Sequence, residues 1–328
     1  MDTLSRVVQM ARLRGTVDIR CMVAGRHTLD NPEGGNGRSP FHLLLAGECT
    51  LELPDRRIAL RAGDFVLLPR GTAHRVHTRG PDPDEPIERR DLGPYALLRG
   101  IRAEDTPVRG AAVDLFCGHY TWGPGAGQVL MGMLPDVLHV PLGTDAGGPL
   151  PLLGAFMRDE ARTVGPGTEA VLDSLCDVLL TMALRSVSGV GRAAWLASTR
   201  GVVRTVTDAV VRDPAHDWGI EKFAALNSMS RATFIRHFGR ETGMNAGEFL
   251  TRLRMLLAAE LLTETEQPVA AVAAAVGYGS ESAFGRAFRL AAGDTPARLR
   301  RAARQAVRGE GVSVLRLGPA DGGEPSPG

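Results

Sequence analysis

The 328-residue sequence predicts an α+β multidomain chain: a small all-β barrel or sandwich first, a helical segment next, and an all-α domain towards the C-terminal end. Three patterns predict it. Short apolar runs split by Gly, Pro, Asn and Asp fill the chain from Thr16 to about Thr78, apolar spacing turns helical after Pro149, and a stretch near residue 224 repeats 50 residues later. The length also favours two domains, each able to bury its own core. The expected boundaries are a β domain at 1–148, a helical dimerisation and linker segment at 149–198, an all-α domain at 199–305 and a disordered tail at 306–328.

In chain order, the strand-like runs are VDIRCMV, FHLLLAG, CTLELP, RIALRAGD, FVLLP and HRVHT. The segment Gly80–Pro94 is rich in proline and charge and reads as a surface loop. Strand patterns return in YALLRGIR and AAVDLFCGHYTW. In the helical segment, LLGAFMRDEART precedes EAVLDSLCDVLLTMALRSV, which sets Leu172, Leu175, Cys176, Leu179 and Leu180 along one stripe. That stripe packs either on a partner subunit, making a homodimer, or within its own chain. The Gly, Ser and Ala between Ser186 and Thr199 mark a junction, and the Gly/Pro-rich 309–328 carries no packing signal.

Composition narrows the function classes. No apolar run approaches the roughly 18 residues of a membrane span, and MDTLSRVVQMARLRG lacks the features of a secretory signal, so a cytoplasmic protein without membrane contact is expected. Cys21, Cys49, Cys117 and Cys176 include no CxxC pair, which argues against a zinc site or a disulfide framework. The net charge of +1 is unevenly spread, since residues 198–308 hold 16 Lys and Arg against 11 Asp and Glu. That surplus suits a polyanion.

The repeat lays Ala224 on Ala274, Ala225 on Ala275, Ser230 on Ser280, Phe234 on Phe284, Arg236 on Arg286, Phe238 on Phe288 and Gly243 on Gly293. Each copy reads as a short Ala-rich helix, a tight turn, a serine cap and a second helix stopped by glycine, which is the pattern of a helix-turn-helix. Phenylalanines four apart share a face that must turn inward. Arg231, Ala232, Ile235 and Arg236 then stand at the outward N-terminal end of the first such helix, with Ser280, Glu281, Ser282, Gly285 and Arg286 in the second. Side chains so placed reach base edges in a major groove. AGEFLTRLRMLLAAELLTET reads as one helix joining the copies. Arg240 is a further DNA-binding candidate, and Arg252, Arg254 and the cluster Arg298, Arg300, Arg301 and Arg304 are read as facing phosphates.

With these motifs in view, residues 205–303 resemble the DNA-binding domain of AraC/XylS-type regulators, most specifically in GYGSESAFGRAFRLAAGDTPARLR. The resemblance implies a transcription factor acting on double-stranded promoter DNA near RNA polymerase, most often as an activator. Gly285 departs from it, standing where relatives often present a side chain to the bases. Upstream, GDFVLLPRGTAH resembles the second motif of cupins, which implies a jelly-roll barrel as the sensor half. The first cupin motif is incomplete, because FHLLLAGECTLELP offers His42 with Glu48 and Glu52 but no HxH. His42, His74 and His77 are therefore read as structural or surface residues, with no metal, no other cofactor and no enzyme expected.

MDTLSRVVQMARLRGTVDIRCMV, GDFVLLPRGTAHR and LFCGHY resemble the cupin regulators that include activators responding to reactive chlorine. In that subgroup an early and a late barrel cysteine are implicated in sensing, and Cys21 and Cys117 stand in the matching places. Arg20 and His119 would favour thiolate if they lay close to them. A small organic effector in the barrel, or neither effector, stays open. Two other functions compete: a cupin metalloenzyme fused to a DNA-binding domain, and a constitutive binder whose barrel only dimerises.

Overall fold

Alternation along the early strand runs sorts their side chains onto two faces, and two sheets form around the inner one. A computed structural model describes residues 3–313 apart from 36, 82–86, 101–111, 124, 146–147 and 188–200. The first domain runs α1 (Thr3–Ala11), β1 (Arg14–Ala24), β2 (Thr28–Asn31), β3 (Arg38–Ala46), β4 (Glu48–Glu52), β5 (Arg57–Arg61), β6 (Asp64–Leu67), β7 (His74–Thr78), β8 (Ile87–Asp91), β9 (Ala96–Gly100), β10 (Ala112–Thr121), α2 (Ala126–Met133) and β11 (Leu138–Pro141). One sheet has the order β11-β6-β3-β10-β1-β9-β8 and the other β2-β7-β4-β5. β1 and β9 run parallel.

Between the sheets lie Cys21, Val23, Leu44, Cys49, Leu51, Val66, Val76, Leu115 and Cys117. The outer face of the larger sheet buries Val17, Phe41, Leu43, Phe65, Phe116 and Tyr120 in a second core. Thus β3, read as FHLLLAG, is buried without interruption from Phe41 to Leu45 because both its faces are covered. At Gly118 a Cβ would stand 2.1 Å from the Thr16 carbonyl oxygen and 2.7 Å from the Phe41 ring, beside the irregularity between Val17 and Ile19.

The expected loop at Gly80–Pro94 contains β8, which pairs antiparallel with β9 across a Gly93-Pro94 turn closed by Leu92 N–H to the Tyr95 carbonyl. The charges that suggested a loop, Glu88, Arg89 and Arg90, are exposed on an edge strand, where charge blocks further pairing.

α3 (Pro149–Glu160) and α4 (Thr168–Ser186) follow. Leu172, Cys176, Leu179 and Leu180 are buried within their own chain, α4 packing on β1. Tyr120 Oη donates to the Cys176 carbonyl at 2.7 Å, and Gly15 N–H to Asp177 Oδ1 at 3.1 Å. Of the two alternatives for the stripe, the structure therefore has the one within the chain. The exposed large apolar side chains here are instead Leu152, Phe156 and Val178. Most of the expected junction, 188–200, falls outside the described residues.

The C-terminal helices are α5 (Val202–Arg212), α6 (Ile220–Leu226), α7 (Arg231–Thr242), α8 (Ala246–Glu264), α9 (Val269–Ala275), α10 (Glu281–Ala292) and α11 (Pro296–Ser313). α11 runs past residue 305, so the start of the expected tail is helical. α1 and α2 bring the first domain onto this one, with α2 against α8 and α10. Arg12 pairs with Glu264 at 2.9 Å, and Gln128 Nε2 donates to the Ala292 carbonyl at 2.5 Å.

Two glycine substitutions should separate in thermal melts. Gly118→Ala forces a methyl into backbone and is expected to cost at least about 3 kcal/mol, the upper range for overpacking. Gly239→Ala, inside α7 with open space at the Cβ, should instead stabilise by about 0.5–1 kcal/mol.

Candidate nucleic-acid interface and barrel interior

The paired helices α6–α7 and α9–α10 are built by the same local chemistry. Ser230 accepts from Thr233 N–H and Ser280 from Ala283 N–H, so each second helix starts on a serine cap. Gly243 and Gly293 end them in the left-handed conformation. Phe234, Phe238, Phe284 and Phe288 are all buried, the rings of each pair 5.3 and 5.6 Å apart. Trp218 and Phe223 continue the first stack.

The repeat is not a single shift. α7 and α10 correspond at 50 residues, but α6 and α9 correspond at 49, so buried Phe223 and Ala224 match buried Val272 and Ala273. Ala274 and Ala275 face solvent. The turn bond from Met229 N–H to the Ala224 carbonyl likewise matches Tyr278 N–H to Ala273. Left-handed Ser228 matches Gly277, which leaves the second turn one residue longer, at Gly279.

With the phenylalanines inward, Arg231, Ala232, Ile235, Arg236 and Arg240 are exposed on α7, and Ser280, Glu281, Ser282 and Arg286 are exposed at and along α10; Gly285 is half-buried. Arg231 pairs with Glu221 at 3.2 Å, and Arg240 reaches His237 Nδ1 at 3.2 Å. Arg236 and Arg286 form no ion pair among the described residues. α8, capped by Asn245, holds the two units apart with Phe249, Leu253, Leu256, Leu257 and Leu262 buried along it.

Not every arginine is at the surface. Arg254 donates to the carbonyls of Pro214 and His216, and its guanidinium fills the space that a Cβ on Gly277 would take. Arg252 is held by Glu248 at 2.6 Å, Arg298 pairs with Asp294, Arg300 donates to the Leu262 carbonyl and Arg304 pairs with Glu266.

Inside the barrel, β1 and β10 put Cys21 and Cys117 on one face in neighbouring strands, with Cys21 opposite Leu115 and Cys117 opposite Ile19. Both buried thiols belong to the core between the sheets. His42 Nδ1 is 3.1 Å from Cys117 Sγ, and its Nε2 is 2.6 Å from His74 Nε2. His74 Nδ1 donates to the Thr72 carbonyl at 2.8 Å. Both rings are buried.

Cys117 is held as a thiol by the neighbouring Cys21 thiol and by burial, and burial pushes Cys49 up to about 12. The expected thiolate promoters face elsewhere. Arg20 points to the outer face, bound to Asp114 at 3.1 Å and lying over Phe116, and His119 is held by Asp18 at 2.6 Å. Sequence reading named His42 and His74 as structural or surface residues but missed their contact with each other and with Cys117, which depends on which strands lie side by side. Among the described residues, no three His, Cys, Asp or Glu side chains are arranged to hold a metal ion.

Two capped, outward-facing second helices on one rigid connector, behind a double-sheeted barrel, define a helix-turn-helix transcriptional regulator. Residues 2–189 match the family model described as Cupin, and residues 223–302 match that of a helix-turn-helix domain. The chain is 34% identical to an uncharacterised HTH-type transcriptional regulator of Haemophilus influenzae, over 88% of this chain and 95% of that one. It is 27% identical to the RCS-specific HTH-type transcriptional activator RclR of Escherichia coli, over 93% and 99%. A putative AraC-like transcription regulator of Streptomyces antibioticus is 31% identical over 90% and 97%. The chain belongs to the AraC family of transcriptional regulators, with a cupin domain at its N-terminal end.

The buried imidazole gives the barrel a pH signature. Burial, then the neighbouring His74, lowers His42 from 6.5 to about 3. The unfolded chain therefore binds the extra proton between those values, so stability rises with pH across the window and is lost as pH falls from 6.5 towards 3. His42 should contribute a slope of up to about 1.4 kcal/mol per pH unit, read from denaturant midpoints. His42→Asn should flatten the curve by that amount; an unchanged slope would show that the proton uptake lies elsewhere.

Proposed function

We propose that this regulator reads promoter DNA with α7 and α10 and that oxidation of Cys21 and Cys117 in its barrel controls the binding. One observation carries the first part: four phenylalanines turn inward, leaving exposed Arg236 and Arg286 at equivalent places without an ion pair among the described residues. Arg231, Ala232, Ile235, Ser280, Glu281 and Ser282 flank them at the base edges, and Arg240 faces phosphate. Arg252 and Arg254, tied to Glu248 and to the loop at Pro214, serve the scaffold. The protein acts in the cytoplasm without enzymatic activity, as a homodimer through Leu152, Phe156 and Val178, and activates transcription with RNA polymerase.

The second part rests on the two cysteines sharing one face of adjacent strands in the barrel core and on the similarity to an RCS-specific activator. Packing of the barrel by Leu44, Leu51, Val66, Val76 and Leu115 favours a small oxidant over an organic effector.

Arg236→Ala and Arg286→Ala should each weaken binding to the upstream DNA of its own gene by about 1–3 kcal/mol, with little change on random DNA. Equal losses on both DNAs would reassign these residues to phosphate. Hypochlorous acid should shift the footprint of the unaltered protein, and Cys21→Ala or Cys117→Ala should abolish the shift. A footprint indifferent to oxidant would sink the thiol reading and leave the DNA reading standing.

A further inference from the structure

The hydrogen bonds inside the barrel fix the direction of every proton in a chain. The Thr72 carbonyl can only accept, so His74 carries its proton on Nδ1 and offers a lone pair at Nε2. His42 must then donate from Nε2, which leaves its Nδ1 as an acceptor for the Cys117 thiol. The order is Cys117 Sγ–H to His42, His42 to His74, His74 to Thr72. At the far end His74 borders an open cavity of about 450 Å³ that also meets Asp30, Glu52 and Arg75. Three strands and the loop before β7 have to agree for this chain to exist, which packing alone does not require.

From this geometry we infer that His42 relays the Cys117 proton to His74, its outlet at the barrel mouth, making Cys117 the attacking sulfur when a small two-electron oxidant closes a Cys21–Cys117 disulfide. This rests on the redox reading above. With hypochlorous acid, Cys117 sulfur takes the chlorine and the O–Cl bond breaks. The thiol proton passes to His42 Nδ1 while the His42 Nε2 proton moves to His74, and His74 returns a proton to the departing hydroxide through water at the barrel mouth. Cys21 sulfur then attacks the S–Cl bond, chloride leaves, and the Cys21 proton is released with it to solvent. Two thiols and hypochlorous acid become a disulfide, water, chloride and a proton.

A buried thiol meets solvent base only rarely, so an internal acceptor speeds its reaction. The other charged or titratable groups bearing on these sites are Asp18 and Cys49 at Cys117, Asp64 at Cys49, and Asp30, Glu52 and Arg75 around the cavity. None of them supplies a hydrogen bond to His42 or to the Cys117 thiol.

The test mixes reduced full-length protein with one equivalent of hypochlorous acid, traps free thiols with N-ethylmaleimide at intervals and counts the Cys21–Cys117 linked peptide by mass spectrometry. Between about pH 5.5 and 7 the unaltered protein should form it at a nearly constant rate. His42→Asn keeps an acceptor for the thiol, and His74→Gln keeps one for His42, but neither can take the proton. Both should react at least about tenfold more slowly near pH 6, with rates rising by up to about tenfold per pH unit as solvent must make the thiolate. If His42→Asn does not fold, judged by circular dichroism, His74→Gln carries the test alone. Equal rates and pH dependence in all proteins would overturn the relay and keep the redox reading, as would slower rates with an unchanged pH dependence. Absence of the linked peptide from the unaltered protein would remove both.

Discussion

The larger sheet is buried on both faces, and the rest of the molecule hangs on that constraint. Because successive side chains of a strand alternate, β3 gives His42 and Leu44 to the barrel and Phe41 and Leu43 to the outer core. β10 divides in the same way, with Cys117 inside and Phe116 and Tyr120 outside. A close-packed wall of this kind has little room to absorb a change on one side. Tyr120 carries the connection outward to α4 through the Cys176 carbonyl.

A second connection leaves the barrel by the loop between β6 and β7. Arg70 in that loop donates to the carbonyls of Met131 and Gly132 at the end of α2, and Gln128 in α2 donates to Ala292 at the end of α10. His74 begins β7 at the other end of the loop. The imidazole pair and α10 are thus joined by a short run of directed hydrogen bonds, with α2 as the middle piece.

What the sequence made legible was whatever a local period or cap encodes. The strands β1 and β3 to β7, the α8 connector, both serine caps and the inward phenylalanines follow from spacing alone, whereas the four-residue β2 is too short to show a period. The uniform 50-residue shift missed the longer second turn, because alanine is common throughout α9 and several alignments look alike; only burial tells Ala273 from Ala274. β8 was hidden by edge-strand charges. α1 and α2 were hidden because their neighbours lie in another domain. In the barrel, Cys21 and Cys117 came from resemblance, whereas their link to His42 depends on which strands lie side by side.

The unequal turns also make the two halves of the reader different objects. One offers Arg231, Ala232, Ile235 and Arg236; the other offers Glu281, Ser282 and Arg286 around a bare Gly285. A duplex met by both halves of one chain is met in a single orientation, with no internal two-fold axis to hide which way round the protein sits. A site read by both units would thereby acquire a head and a tail, and inverting it would point the barrel at the opposite side of the promoter.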